Sequence, residues 1–166
     1  MSYKIVTKKV LNPQIFLMEV EAPLIAKKAE PGQFIILRID EYGERVPFTI
    51  ADFDREKGTV TIIVQIVGKT TKDLAKIEEG EELSDFAGPL GMPTPLEGLK
   101  KVAVIGGGLG TAIAYPQAKK LHQLGADVTV ITGFRNKDLV ILEDELKLYD
   151  IINYRNSLIC KEIYHG

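Results

Sequence analysis

Between residues 59 and 67 the chain alternates, with Val60, Ile62, Val64 and Ile66 interleaved with Thr59, Thr61, Ile63 and Gln65. A period of two predicts a strand with one face on a core. Segments of similar character cover 3–10, 14–21, 33–39, 45–53 and 82–87, separated by Asn12-Pro13, Pro31-Gly32, Gly43, Gly58 and Gly80. One short helix fits 71–79. Six short strands in succession predict an antiparallel barrel or sandwich. Residues 92–101, with two prolines and a glycine, read as a linker. Beyond it the pattern becomes strand 102–106, helix 111–124, strand 127–132 and helix 137–149. That βαβα alternation belongs to a parallel sheet with crossover helices. Residues 151–166 add the apolar pair Ile151-Ile152, weak strand character over 154–160 and a short polar tail.

Composition narrows the classes. Of 166 residues, 45% are apolar and 27% charged, values of a soluble globular protein. Lys plus Arg (21) nearly balances Asp plus Glu (23), so neither a nucleic acid nor a membrane is expected as partner. No apolar run approaches the ~18 residues of a membrane helix, and the N-terminus shows no signal-peptide stretch. The expected compartment is the cytoplasm. Cys160 is the only cysteine, so no disulfide, zinc site or iron–sulfur cluster is expected within this chain.

Candidate chemistry sits at four places. The strand Val102–Ile105 runs into Gly106-Gly107-Gly108-Leu109-Gly110-Thr111. Such a turn lets backbone N–H groups approach a phosphate at a helix N-terminus, and it serves equally as a tight strand–helix turn without ligand. A full doubly wound dinucleotide domain needs two such halves, and the chain has room for little more than one. The next strand ends Thr132-Gly133-Phe134-Arg135, without the carboxylate that reads a ribose hydroxyl of NAD; Arg135 fits a 2′-phosphate or a solvated surface. Arg45-Val46-Pro47-Phe48-Thr49-Ile50 combines a diphosphate-gripping cation with a flat aromatic and a hydroxyl. Gly68-Lys69-Thr70-Thr71 suits an anion, or a helix capped by Thr70.

In this order and spacing, R-V-P-F-T-I (45–50), G-K-T-T (68–71), G-P-L-G (88–91) and G-G-G-L-G (106–110) resemble the ferredoxin–NADP reductase superfamily. Within it the likeness is to small electron-transfer subunits of the NADH-dependent ferredoxin–NADP oxidoreductase or sulfide dehydrogenase type, related to the dihydroorotate dehydrogenase electron-transfer subunit. The resemblance covers about residues 3–150. It implies a six-stranded antiparallel Greek-key flavin-binding barrel (1–95) followed by an incomplete parallel α/β nucleotide-binding domain (100–166). It implies that Arg45 binds the FAD diphosphate, that Pro47 and Phe48 line the isoalloxazine, and that Thr49 meets the hydride-accepting nitrogen as the catalytic contact. Gly68, Lys69, Thr70 and Thr71 would cradle the pyrophosphate, with Val64 on the preceding strand in the cofactor-binding set. Gly106, Gly107, Gly108, Gly110, Thr111 and Arg135 would face NAD(P)H. Members of the family continue further, so this chain reads as C-terminally truncated, with nucleotide turnover impaired. The implied activity is hydride transfer between NAD(P)H and FAD and onward to a partner subunit. The partner is a larger oxidoreductase subunit or, as a homodimer, a second copy. Rival readings are a non-catalytic flavin- or partner-binding module, and a fragment from a shortened reading frame.

Overall fold

The computed structural model describes residues 3–147 and the backbone of 150–154. The chain divides at Thr94/Pro95 into two compact units.

The first unit is built on seven strand segments: β1 (Tyr3–Asn12), β2 (Ile15–Glu21), β3 (Phe34–Arg38), β4 (Val46–Asp54), β5 (Thr59–Gln65), β6 (Glu82–Leu83) and β7 (Asp85–Leu90). They form one antiparallel sheet in the order β6-β1-β2-β5-β4-β3-β7. Only Ser84 separates β6 from β7. The first pairs with β1 (Tyr3↔Leu83) and the second with β3 (Arg38↔Asp85), so one bent strand joins both ends of the sheet. The six expected strands are therefore six, the last broken by a bend, and the order 1-2-5-4-3-6 is that of a Greek-key barrel. At the bend the Ser84 hydroxyl donates to the Arg38 carbonyl at 3.2 Å and its N–H to the Ile39 carbonyl at 3.1 Å.

The interior follows from strand alternation. Met18, Val20, Ile35, Leu37, Ile50, Val60, Ile62, Leu83 and Phe86 are fully buried in one cluster. Strand β5 departs from the sequence expectation of one buried face: Thr59 to Val64 are buried throughout, with Val60, Ile62 and Val64 in the barrel core. A helix that periodicity did not predict, α1 (Pro23–Lys28), follows β2. Six residues are too few to show a helical period, but Pro23 at its first position pre-sets the backbone angle. It touches β4, β5 and β7 and adds Ile25 and Ala26 to the core. The second helix, α2 (Lys69–Leu74), starts earlier and stops sooner than the expected 71–79. Lys8 holds the chain that leaves it. Its largely buried ammonium donates to the carbonyls of Ala75 and Ile77, both at 2.6 Å, and pairs with Glu78 at 3.2 Å.

The second unit holds β8 (Lys101–Gly107), α3 (Gly110–Gln123), β9 (Asp127–Gly133), a 3-10 turn (Lys137–Leu139), α4 (Glu143–Leu146) and β10 (Asp150–Tyr154). Its sheet is parallel, in the order β10-β9-β8. The helix expected over 137–149 is not continuous. Leu142, with φ of 58°, turns the chain between the 3-10 turn and α4, while Ile141 and Leu142 are buried. Ile141 and Leu142 are adjacent, and burying both at the left-handed Leu142 turn interrupts a helix there. The weak strand expected over 154–160 lies, beyond Tyr154, outside the described residues, as does Cys160.

Gly106 marks where α3 sits down on the sheet. A Cβ there would stand 2.8 Å from the Thr111 Cα and 3.1 Å from the Ala114 Cβ. Gly106→Ala is expected to destabilise this unit by about 1–3 kcal/mol through overpacking, read as a lower thermal unfolding midpoint. A neutral result would mean that α3 is free to shift.

Candidate functional site

The segment around Arg45 and the Gly68–Thr71 segment meet in the first unit. Strand β4 begins at Val46, so Glu44 and Arg45 lie just before it, exposed. The Arg45 guanidinium donates to Asp85 Oδ2 through Nε at 3.1 Å and Nη2 at 2.8 Å. Those hydrogen bonds hold the Asp85 carboxyl below the usual carboxylate range, against a smaller opposing effect of burial. The carboxylate, and with it the pair, is thus kept through the usual carboxylate range and is lost only on acidification below it. One residue earlier, Glu44 Oε2 accepts a hydrogen bond from Thr70 Oγ1 at 3.1 Å. Residues 44–45 are therefore gripped from β7 on one side and from α2 on the other.

The segment 68–71 is shaped by Thr71, not by Thr70. The Thr71 hydroxyl accepts from the N–H groups of Val67 and Gly68, both at 2.9 Å, and donates to the Gly68 carbonyl at 3.0 Å. A hydroxyl has one donor and two acceptor sites, so this one is saturated and sets the loop's form. Thr70, read as a possible cap, reaches out to Glu44 instead. The first-turn N–H groups of Lys69 and Thr70 have no acceptor within the helix. Lys69 is exposed and forms no ion pair among the described residues. A Cβ on Gly68 would meet nothing within 4 Å, so the space beside this turn is open.

On β4, alternation separates the other candidates. Phe48 shares the face of Ile50 and packs against the barrel core. Pro47 and Thr49 occupy the opposite face, paired across to Ile36 and Phe34 of β3. Sequence reading missed Phe34, Ile36, Glu44 and Asp85, because their relation to the motifs arises only from strand pairing and one long-range contact. Val64 stands apart: its side chain is in the core and its backbone pairs with Phe16.

In the second unit, Gly106 serves helix packing, whereas a Cβ at Gly107, Gly108 or Gly110 would meet nothing within 4 Å. Gly108, with φ of 53°, adopts the left-handed conformation, and its N–H donates to the Gly133 carbonyl at 2.9 Å. The glycine turn is thereby tied to the end of β9, two residues before the exposed Arg135. Thr111 is fully buried, and its hydroxyl has no partner among the described residues. Among the described residues no group of three or more His, Cys, Asp or Glu side chains could hold a metal ion, and no helix is long and apolar enough to cross a membrane.

A barrel of this strand order followed by a parallel α/β unit with a glycine turn defines the ferredoxin–NADP reductase class of fold. The solved structure of an NADH-dependent reduced ferredoxin–NADP oxidoreductase, studied for flavin-based electron bifurcation, superposes with a TM-score of 0.90 at 33% identity, covering 100% of this chain and 64% of that one. Phthalate dioxygenase reductase shares the fold, with a TM-score of 0.76 at 18% identity over 93% of this chain and 51% of that one. In sequence the chain is 41% identical over 144 residues to a dihydroorotate dehydrogenase B (NAD(+)) electron transfer subunit homolog of Thermotoga maritima. It is 55% identical over 151 residues to an uncharacterized protein in the adh 3′ region of Clostridium beijerinckii. Each alignment covers 87% of this chain and 51% of the relative, so the chain spans about half the length of these curated relatives. No protein-family model matches. The chain is thus similar in sequence to dihydroorotate dehydrogenase B electron transfer subunits and shares the fold of ferredoxin–NADP reductase-like proteins.

Removing the loop-shaping hydroxyl tests the local construction. Thr71→Val is expected to cost about 1–2 kcal/mol, the scale of a lost helix cap, measured by urea denaturation, with Thr71→Ser close to the parent. Equal losses in both variants would assign the effect to packing and not to the hydroxyl.

Proposed function

We propose that the chain binds FAD through its barrel unit and serves in an electron-transfer subunit, moving hydride between NAD(P)H and FAD and electrons onward to a larger oxidoreductase subunit. The observation that carries this reading is the Thr70–Glu44 hydrogen bond, which ties the residue just before the Arg45 motif to the Gly68–Thr71 segment, 26 residues away. It brings the cation Arg45 and the first turn of α2, with Lys69, to one place. Two cations and free helix-end N–H groups suit a diphosphate. The electron-transfer names of the relatives support the same reading.

Bound FAD would supply the hydride and electron chemistry, and the protein the binding and orientation. Arg45 and Lys69 offer charge to the diphosphate, and Thr71 keeps the turn between them in shape. Pro47, Phe34 and Ile36 offer a flat apolar surface beside the Thr49 hydroxyl, which is the group available to a ring nitrogen. Phe48 supports that strand from the core side. In the second unit, the open glycine turn at the start of α3 suits a nicotinamide nucleotide. The absence of a carboxylate at the end of β9 and the exposed Arg135 favour NADPH over NADH.

One observation favours partner binding as part of the same function. Among the described residues β8 is an edge strand, and Ile105 on it is 73% exposed. An open apolar edge invites a further strand. The larger subunit is the occupant we propose, with a second copy as the alternative.

Two measurements test these readings. The purified protein is expected to show flavin absorption bands once FAD is added, and the bands to bleach faster with NADPH than with NADH. Bands that persist with both nucleotides would leave a flavin- or partner-binding module without reductase activity, and a protein colourless under every condition would sink the flavoprotein reading. Sedimentation of the isolated chain is expected to give a monomer that shifts when the larger subunit is added; a concentration-independent dimer would favour the second copy.

A further inference from the structure

The Arg45–Asp85 pair contributes little to holding the fold together. Its side chains are 62% and 27% exposed, and ion pairs at such exposure are typically worth about 0–1 kcal/mol. What the pair does fix is direction. Asp85 takes two of the five guanidinium N–H donors, from Nε and Nη2, on a single oxygen. The remaining donors, both on Nη1 and one on Nη2, lie on the opposite edge of the plane. Without Asp85 a long exposed side chain would sample many rotamers. The Thr70–Glu44 bond links the side chain of the preceding residue to α2, and it does not restrain the Arg45 side chain.

Asp85 itself is well placed to be rigid. It is the first residue of β7, directly after the bend that closes the barrel, and it lies opposite Arg38 in the ladder. Its neighbour Phe86 is fully buried. A carboxylate on so fixed a strand is a firm anchor for a mobile cation.

From this we infer that Asp85 is a positioning residue: it pre-orients the Arg45 guanidinium, leaving its free edge for the diphosphate of the dinucleotide. The inference rests on the flavin reading above. Asp85 carries a cost as well as a benefit, because its own negative charge repels a diphosphate. The two effects have opposite signs and can be separated by variants. Asp85→Ala removes both the anchor and the charge. Asp85→Asn removes the charge and keeps an oxygen that can accept from Arg45.

The test is the affinity of the full chain for FAD and for riboflavin, which lacks the diphosphate, measured by quenching of flavin fluorescence. Asp85→Ala is expected to weaken FAD about three- to tenfold, the scale of ordering one long side chain on binding, and to leave riboflavin unchanged. In an Arg45→Ala background the same substitution is expected to leave riboflavin unchanged and to bind FAD as tightly as Arg45→Ala alone or tighter, since only the repelling charge is then removed. Asp85→Asn is expected to bind FAD as tightly as the parent or tighter. Thermal midpoints of all variants within a few degrees would separate these effects from a loss of fold. Asp85→Ala binding FAD as well as the parent would overturn the proposal and leave the flavin reading standing. An equal loss in the Arg45→Ala background, or an equal loss for riboflavin, would overturn it in the same way. A parent chain that binds neither flavin would overturn both.

Discussion

The structure of the first unit depends on one bent strand. Residues 82–90 begin by pairing with β1, bend at Ser84, and finish by pairing with β3. Without that bend the sheet would have two open edges and its interior face no enclosure. With it, Leu83 and Phe86, on either side of the bend, both point into the core, and Asp85 between them points outward toward Arg45. Closing the barrel and presenting the anion that holds Arg45 are thus consequences of the same local geometry. The candidate site is therefore placed by backbone hydrogen bonding first and by its own polar contacts second.

The polar contacts divide by exposure. Those of Thr71 and Lys8 are sheltered and close every donor or acceptor they engage, which is the condition for a buried polar group to stabilise. They fix the two ends of the segment containing α2. The contacts of Arg45 and Thr70 are exposed, cheap to exchange and directed at open space. A binding surface needs both kinds: rigid support beneath, and groups above whose hydrogen bonds a ligand can replace at little loss.

How much of this was legible in the sequence varies with the physics of each element. The alternation of Val60, Ile62 and Val64 and the glycine turn after β8 are local signals, and both elements form where the pattern places them. The change from an antiparallel to a parallel sheet was equally readable, because linker composition and period change together near residue 95. Helix α1 was invisible because six residues do not complete two turns. The helix expected over 137–149 failed because Ile141 and Leu142 are buried side by side and Leu142 takes the left-handed conformation. Within the site, Arg45 and Lys69 could be picked out by motif. Asp85, which holds Arg45, and Glu44, which accepts from Thr70, could not, since nothing in residues 82–87 or 41–44 distinguishes an anchoring carboxylate from a solvated one until the strands are paired. The division of Thr70 and Thr71 was also hidden: two adjacent threonines look alike in sequence, but a helix turns them about 100° apart, one inward to the loop and one outward to Glu44.

The second unit shows the complementary constraint. In a parallel sheet each strand normally has neighbours on both edges and helices on both faces, and its residues are apolar on both sides for that reason. β9 meets the first condition, between β8 and β10. β8 does not: Gly106 is buried under α3, while Ala103 and Ile105, which alternate with Val102 and Val104, are exposed. The sequence of β8 is thus that of an interior strand, although among the described residues it stands at an edge. The turn that follows β8 is nevertheless complete, since its fixed points are internal to the unit: Gly106 against Thr111, and Gly108 against the end of β9. The glycine turn and the open edge therefore occupy the same strand but rest on different contacts, so covering the edge of β8 need not alter the turn at its end.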